Sequence, residues 1–321
     1  MTGQVVGVDL GGTKVMVAGL RDHSLGESLL VPTELGSSAG LIDQVVGMVK
    51  EVRDDDLRAV GIGTPSVVDF ETGRVVSSVN VPLADVAIRA TLGERLGVPV
   101  FVDNDATVAA LAEAHDEELR LTARNLVMFT VGTGVGGGIV IGGRIYRGAT
   151  GAAGELGHTI LGMDLAGAVP APTRFPQPGS LEFVAAGHAL DAVATEAATR
   201  QPESALGRLR AVGRPVLGAD AVQAAHAGDF AAARMVELWG QRLGVGIANA
   251  INTFDPEEVV IGGGAARAGD LLLAPAKRVA RSYTLPGVGR QTTIRLARHG
   301  VRAGVLGAAL LAVHELEEVR R

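Results

Sequence analysis

At 321 residues the chain has the length of about two domains, and a hydrophobic content of 47% is ample for globular cores. A formal net charge of -6 gives no electrostatic footprint for nucleic acid, and the lack of cysteine excludes disulfides, thiolate metal sites and a cysteine nucleophile. No basic and apolar leader precedes the first strand-like run, and the apolar stretch Ala303 to Val313 is too short to span a bilayer, so a soluble, cytoplasmic protein is expected.

In chain order, "QVVGVDLG" from Gln4, "KVMVAGL" from Lys14 and "LGESLLVPT" from Leu25 read as three strands. Leu41 to Val52 has helical periodicity, with Leu41, Val45, Val46 and Val49 on one side. "LRAVGIGTPSVVD" from Leu57 reads as a strand, Ala84 to Leu96 as a helix, and "VPVFVDND" from Val98 as a fifth strand. This is the pattern of an α/β layer with a mixed sheet. The pattern then restarts with the glycine-punctuated "NLVMFTVGTGVGGGIVIGGRIYRG" from Asn125, followed by helices across Leu181 to Asn252. The strand "EVVIGGG", a helix, the strand "TTIRLA" and a last amphipathic helix from Ala303 complete the chain. Two halves with like openings imply a duplicated fold with a cleft between them, the last helix packing back on the first half. The proline-rich Ala168 to Ser180 reads as a loop.

Three glycine turns carry the chemistry. In "GVDLGGTK", Asp9 ends a strand, and Gly11, Gly12 and Thr13 form a turn whose backbone N–H groups can approach an anion, with Lys14 adding a cation. A strand follows instead of a helix, so this is not a Walker loop. "GTGVGGG" matches the dinucleotide pattern at Gly132, Gly134 and Gly137, but it too leads into a strand, which argues against NAD and for a second phosphate hairpin at Thr133 and Gly134. "VVIGGGAARAG" puts Gly262, Gly263 and Gly264 at a strand-to-helix turn, where a flat base could lie on the backbone. Each could also be a plain tight turn.

The polar candidates are Glu155 and His158 in "GELGH", Glu182 at a helix start in "GSLEF", and the cluster Asp103, Asn104, Asp105 at the end of a strand. Glu182 also suits a helix dipole, and one of Asp103 and Asp105 is expected to cap the following helix. His23, His115, His188, His226, His299 and His314 lack metal-ligand spacing and read mostly as surface residues.

Taken in order, "GVDLGGTK", "GIGTPSVVDFETGRVVSSVNVP", "VFVDNDATVAALAE", "TVGTGVGGGIVIGGRIYRGATGAAGELGH" and "VVIGGG" strongly resemble the ROK family of bacterial sugar kinases, particularly its ATP-dependent glucokinases. The resemblance implies the actin-like, sugar-kinase ATPase fold: two ribonuclease-H-like α/β domains around a cleft. The N-terminal domain would hold residues 1–120 plus 303–321 and the C-terminal domain residues 121–302. It implies ATP and Mg²⁺, a hexose substrate, no nucleic-acid or membrane partner, and a homodimer or dimer of dimers. By the same resemblance Asp105 is the general base, and Asn80, Asn104, Asp105, Glu155, His158 and Glu182 hold the sugar. Gly11, Gly12, Thr13, Lys14, Thr133 and Gly134 meet the phosphates, Asp9 lies near Mg²⁺ through water, and Gly262, Gly263 and Gly264 form the adenosine turn.

One departure stands out. Many members carry CxCGxxGCxE after the GELGH motif, binding structural zinc together with its histidine. This chain has no cysteine there, so no zinc is expected and another partner must orient His158. The proline-rich loop is expected to supply it by packing. Alternative substrates are another hexose or an N-acetylated aminosugar (N-acetylglucosamine, N-acetylmannosamine, fructose, allose). A non-catalytic sugar sensor is the alternative outside enzymes. Repressor members carry a helix-turn-helix ahead of the kinase-like part, whereas this sequence opens directly on "VVGVDLGGTK". Polyphosphate as donor is disfavoured by the "VVIGGG" turn.

Overall fold

The computed structural model describes residues 3–164 and 174–319. Its elements begin with β1 (Gln4–Leu10), β2 (Lys14–Arg21), β3 (Ser24–Leu25), β4 (Leu29–Pro32), α1 (Ser38–Val52), β5 (Leu57–Thr64), β6 (Ser66–Asp69) and β7 (Arg74–Ser78). Then come α2 (Ile88–Leu96), β8 (Val100–Asn104), α3 (Asp105–Glu113), β9 (Leu126–Val131), β10 (Val135–Ile141) and β11 (Arg144–Ile145). The remainder is α4 (Leu181–Ala185), α5 (Gly187–Arg200), α6 (Ala205–Ala211), α7 (Gly218–His226), α8 (Phe230–Phe254), β12 (Glu258–Gly262), α9 (Asp270–Tyr283), β13 (Thr293–Leu296) and α10 (Ala303–Val319).

The chain divides into two compact units. One holds the described residues of Met1–Met128, Gly138–Gly154 and Arg298–Arg321, the other those of Phe129–Gly137 and Glu155–Ala297. The first sheet runs β3-β2-β1-β5-β8, with β4 also on β2, and the second runs β11-β10-β9-β12-β13. Both therefore place their strands in the order third, second, first, fourth, fifth, so the restart legible in the sequence is a repeat of topology. In the first sheet β1–β2 is antiparallel and β1–β5–β8 is parallel. These are the two mixed α/β sheets that the sequence predicts.

A parallel centre needs cover on both faces, which explains why β1 and β5 are almost continuous apolar runs. One face packs Val6, Val8, Leu10, Val60 and Ile62 against Leu41, Val45 and Val49 of α1 and Leu92 of α2. The other lies under α10, and Gly61 shows how closely. A Cβ there would come within 2.7 Å of the Ala308 carbonyl carbon, so only glycine lets the helix seat.

Local chemistry shifts three boundaries. Ser37 accepts the Gly40 N–H at 3.0 Å and starts α1 ahead of its expected first residue, Leu41. The strand expected over Leu57 to Asp69 divides at Pro65, which has no N–H for the ladder, and β6 turns away to pair with β7. The helix expected from Ala84 begins at Ile88, because Asp85 has a left-handed φ of 62° and Val86 bridges Val75.

In the second unit the helices pack through small residues, with a cluster of Ala194, Ala198, Leu206, Val216 and Ala221. The indole N–H of Trp239 in α8 donates to Ala185 O at 2.6 Å.

Candidate active site

β1 and β2 present the first hairpin. Gly11 N–H donates to Lys14 O at 3.0 Å, and Thr33 braces the turn from outside, its hydroxyl donating to Gly11 O at 2.6 Å and its N–H to Thr13 O at 3.0 Å. Gly12 abuts Asn80, whose Cβ would lie 3.1 Å from a side chain begun at Gly12. Thr13 and Lys14 are exposed. The carboxyl ends of β1 and β8 flank that of β5, which brings Asp9 and the Asn104–Asp105 pair to one sheet edge. Asp9 registers this closeness. Burial, and then the negative charge of Asp105, push its carboxyl up to about 6, with Lys14 opposing.

The helix cap differs from expectation. Neither Asp103 nor Asp105 is the N-cap of α3. Asn104 is, its side-chain oxygen accepting the N–H groups of Ala106 at 2.9 Å and Thr107 at 3.3 Å. An extended Asn104 puts its amide over the first turn, whereas Asp105 is already helical, one carboxylate oxygen accepting Ala106 N–H at 2.8 Å. Asp103 points inward and is 2% exposed, which opposes its ionisation.

The second unit carries the other candidates. Between β9 and β10, Gly132 N–H donates to Gly134 O at 2.9 Å, forming the second hairpin, with Thr133 exposed. Glu182 braces it: one carboxylate oxygen accepts the Val135 N–H at 2.8 Å and sits where a side chain on Gly134 would go. Ser180, not Glu182, caps α4. The glycine turn after β12 lies beside this hairpin. Gly263 has a φ of 76°, and a Cβ on it would be 2.5 Å from Val131 O. A pocket of about 580 Å³ is bounded by Gly132 and Thr133 from the hairpin, Gly264 and Ala265 from the turn, and Asp191 and Gln223 from the helices. His158 has Glu155 at 3.8 Å and the ring of Phe175 edge-on, centroids 5.3 Å apart. Phe175 belongs to the proline-rich stretch, whose residues 168–173 lie outside the described residues.

The ROK family model matches residues 5–315. The chain belongs to the ROK family. This ROK kinase is 36% identical to a glucokinase of Halalkalibacterium halodurans over 95% of its own length and 94% of the relative's. A glucokinase of Streptomyces coelicolor is 32% identical, covering 97% and 98%. The structure of this chain is similar to that of a ROK glucokinase from Streptomyces griseus in complex with glucose and AMPPNP, with TM-score 0.78, 30% identity, and 97% and 100% of the two chains covered. The chain is a glucokinase-like ROK sugar kinase, with two actin-like α/β domains.

The ROK kinase has no cysteine, so the family's cysteine zinc set is absent. A magnesium ion fits the donors at Asp9. A carboxyl raised by burial and by a second carboxylate is relieved by a cation, and the Gly11–Thr13 turn lies beside it. Two groups escaped the sequence reading. Arg147 donates to Asp103 and to Glu315, at 2.7 and 2.9 Å. Glu113, fully buried, accepts the N–H groups of Arg298 at 3.0 Å and His299 at 2.9 Å, fixing the entry to α10. Both link residues far apart in sequence, for which spacing gives no signal. His115 is not at the surface either: it is 5% exposed, and its ring lies tilted against that of the half-buried His314, centroids 5.8 Å apart.

Proposed function

We propose that the protein transfers the γ-phosphoryl group of ATP to the 6-hydroxyl of glucose, giving glucose 6-phosphate. The observation that carries this reading is the closeness of Asp105 and Asp9 at one end of the first sheet, two carboxyl groups next to a glycine turn. In this reading Asp105, its rotamer held by Ala106 N–H, takes the proton of the sugar hydroxyl as it attacks the γ-phosphorus. Asn80 and Asn104 of the first unit, and Glu155, His158 and Glu182 of the second, are assigned to sugar hydroxyls. The N–H groups of Gly11, Gly12, Thr13, Thr133 and Gly134, with Lys14, are assigned to the phosphates. The pocket between Thr133 and Gly264 has room for a nucleoside, and its glycine wall suits a flat base. When bound, Mg²⁺ would supply neutralisation of phosphate charge, held at Asp9 through water.

Glucose is put first because the relatives at 36% and 32% identity are glucokinases. Another hexose or an N-acetylated aminosugar is the second reading, since exposed Asn80, Glu155 and His158 give hydroxyl ligands without distinguishing close sugars. A homodimer in the cytoplasm completes the proposal, and light scattering on the eluting peak tests its size. Among the described residues no helix is long and apolar enough to cross a membrane.

The experiment is ADP release from Mg·ATP with glucose, mannose, fructose, allose, N-acetylglucosamine and N-acetylmannosamine, without added zinc. The highest kcat/KM is expected for glucose. Asp105→Asn should lose about 10²–10⁴-fold in kcat, the range of a general base. Near-normal turnover by that folded variant would sink the assignment of the base, and binding of glucose without turnover by the unmodified protein would favour a sensor.

A further inference from the structure

Asp103 carries a carboxylate into the core beside two site residues, and what it meets there is unusual. One oxygen accepts the N–H of Asn104 at 2.9 Å; the other receives Nε of Arg147 at 2.7 Å. The same guanidinium donates through Nη2 to Glu315 of α10 at 2.9 Å, so one cation stands between two carboxylates. Its flat face covers the ring of Phe70, with Cζ 3.4 Å from the centroid, and a second guanidinium, that of Arg89, stands 5.1 Å from the same ring. Arg89 also donates to the carbonyls of Phe70 and Glu71, closing the turn between β6 and β7.

Three segments of the site therefore meet at one side chain. Asp103 leads directly into Asn104 and Asp105. Phe70 belongs to the β6–β7 turn, upstream of Asn80, and Ser66 of the same arm accepts the side-chain amide of Asn104 at 3.4 Å. Arg147 itself opens the stretch that runs to Glu155. An arginine suits this place better than lysine, since its planar fork serves two carboxylates and a ring at once.

We propose that Arg147 is a positioning residue for phosphoryl transfer, acting through Asp103 on the Asn104–Asp105 backbone and through Phe70 on the β6–β7 arm. The proposal rests on the assignment of Asp105 as the base. One oxygen of Asp103 holds the Asn104 N–H while Arg147 holds the other, and the guanidinium works against the rise that burial imposes on this carboxyl. A displacement of about 1 Å at the reacting groups can cost roughly 100-fold in rate, so a support of this kind is read in turnover.

The test uses the full chain with Mg·ATP and the preferred sugar, comparing Arg147→Met, Arg147→Lys, Asp103→Asn and the double variant Arg147→Met/Asp103→Asn. Arg147→Met is expected to lose roughly 10- to 100-fold in kcat with KM for ATP within about twofold, and Arg147→Lys to recover part of it. The double variant should lose no more than the worse single one, as for two members of one path. Wild-type kcat in folded Arg147→Met would overturn the proposal, as would losses that multiply in the double variant. If Arg147→Met does not fold, near-isosteric Asp103→Asn decides in its place, a tenfold or greater loss supporting the proposal and wild-type kcat ending it. Asp105→Asn separates the two readings. If that variant is inactive while Arg147→Met is normal, positioning alone fails; if Asp105→Asn turns over normally, the assignment of the base fails first.

Discussion

Asp9 is ionised at a cost to the free protein. Its carboxyl is raised to about 6 in the fold, so the folded state holds a proton between about pH 4 and 6 that the unfolded chain has released. Its stabilising effect is complete below pH 4 and is lost as pH rises through 6. By neutral pH the ionised group costs about 3 kcal/mol, taking two pKa units at 1.36 kcal/mol each. Asp9→Asn should therefore raise the melting temperature by a few degrees at pH 8 and leave it nearly unchanged at pH 4, in scans without nucleotide. The same variant should lose most of its affinity for Mg·ATP, measured by calorimetry. In the unmodified protein that affinity should weaken as pH falls below 6, when Asp9 takes up its proton.

At the level of elements, α3 and α10 pack together, and just past the end of α3 the His115 ring meets that of His314, although the sequence reads most of the histidines as surface residues. The His314 ring is lowered to about 4, first by burial and then by the neighbouring His115, which is itself lowered. The unfolded chain takes up this proton near pH 6.5 and the folded one only near 4, so stability should fall as pH drops across that window. His314→Leu should flatten this acid limb, read as the denaturant midpoint between pH 7 and 4.5. The error is instructive. Nothing within "LLAVHELEE" marks His314 as half-buried, because His115, whose ring it meets, lies about two hundred residues earlier in the chain. Sequence reasoning served well where a signal is local: the glycine turns, the apolar strands and the repeated strand–turn–strand opening. It missed Arg147 and Glu113, whose partners are distant, and it gave the α3 cap to an aspartate where Asn104 holds it. Pro65 is a local signal too, since a proline has no N–H for the ladder and the strand divides there.

At the level of the whole chain, the first unit is assembled from three stretches, Met1–Met128, Gly138–Gly154 and Arg298–Arg321 among them, taking only their described residues. Its seam is the contact of α10 with β1 and β5. Gly61→Val would drive a side chain into the backbone of α10 at Ala308, and a loss of about 1–3 kcal/mol or more is expected from denaturant unfolding. Glu182→Ala tests the other unit. By removing a proposed sugar ligand and releasing the Val135 N–H it should raise KM for the sugar and for ATP several-fold while leaving the melting temperature within about two degrees, since only one part-buried hydrogen bond is lost.

The seating of α10 has a consequence for biosynthesis. Chains fold from the N-terminal end as they are made, at about 5–20 residues per second. The part of the β1–β5 face at Gly7 and Gly61 stays uncovered until residues 303–319 have left the ribosome, roughly ten seconds or more after β5 itself emerges at that pace. During that interval the sheet that will carry Asp9 exposes an apolar surface not yet covered by its last helix. A nascent chain of this protein should therefore be a client for chaperones that cover such surfaces, and it can acquire kinase activity only once its last helix has been made.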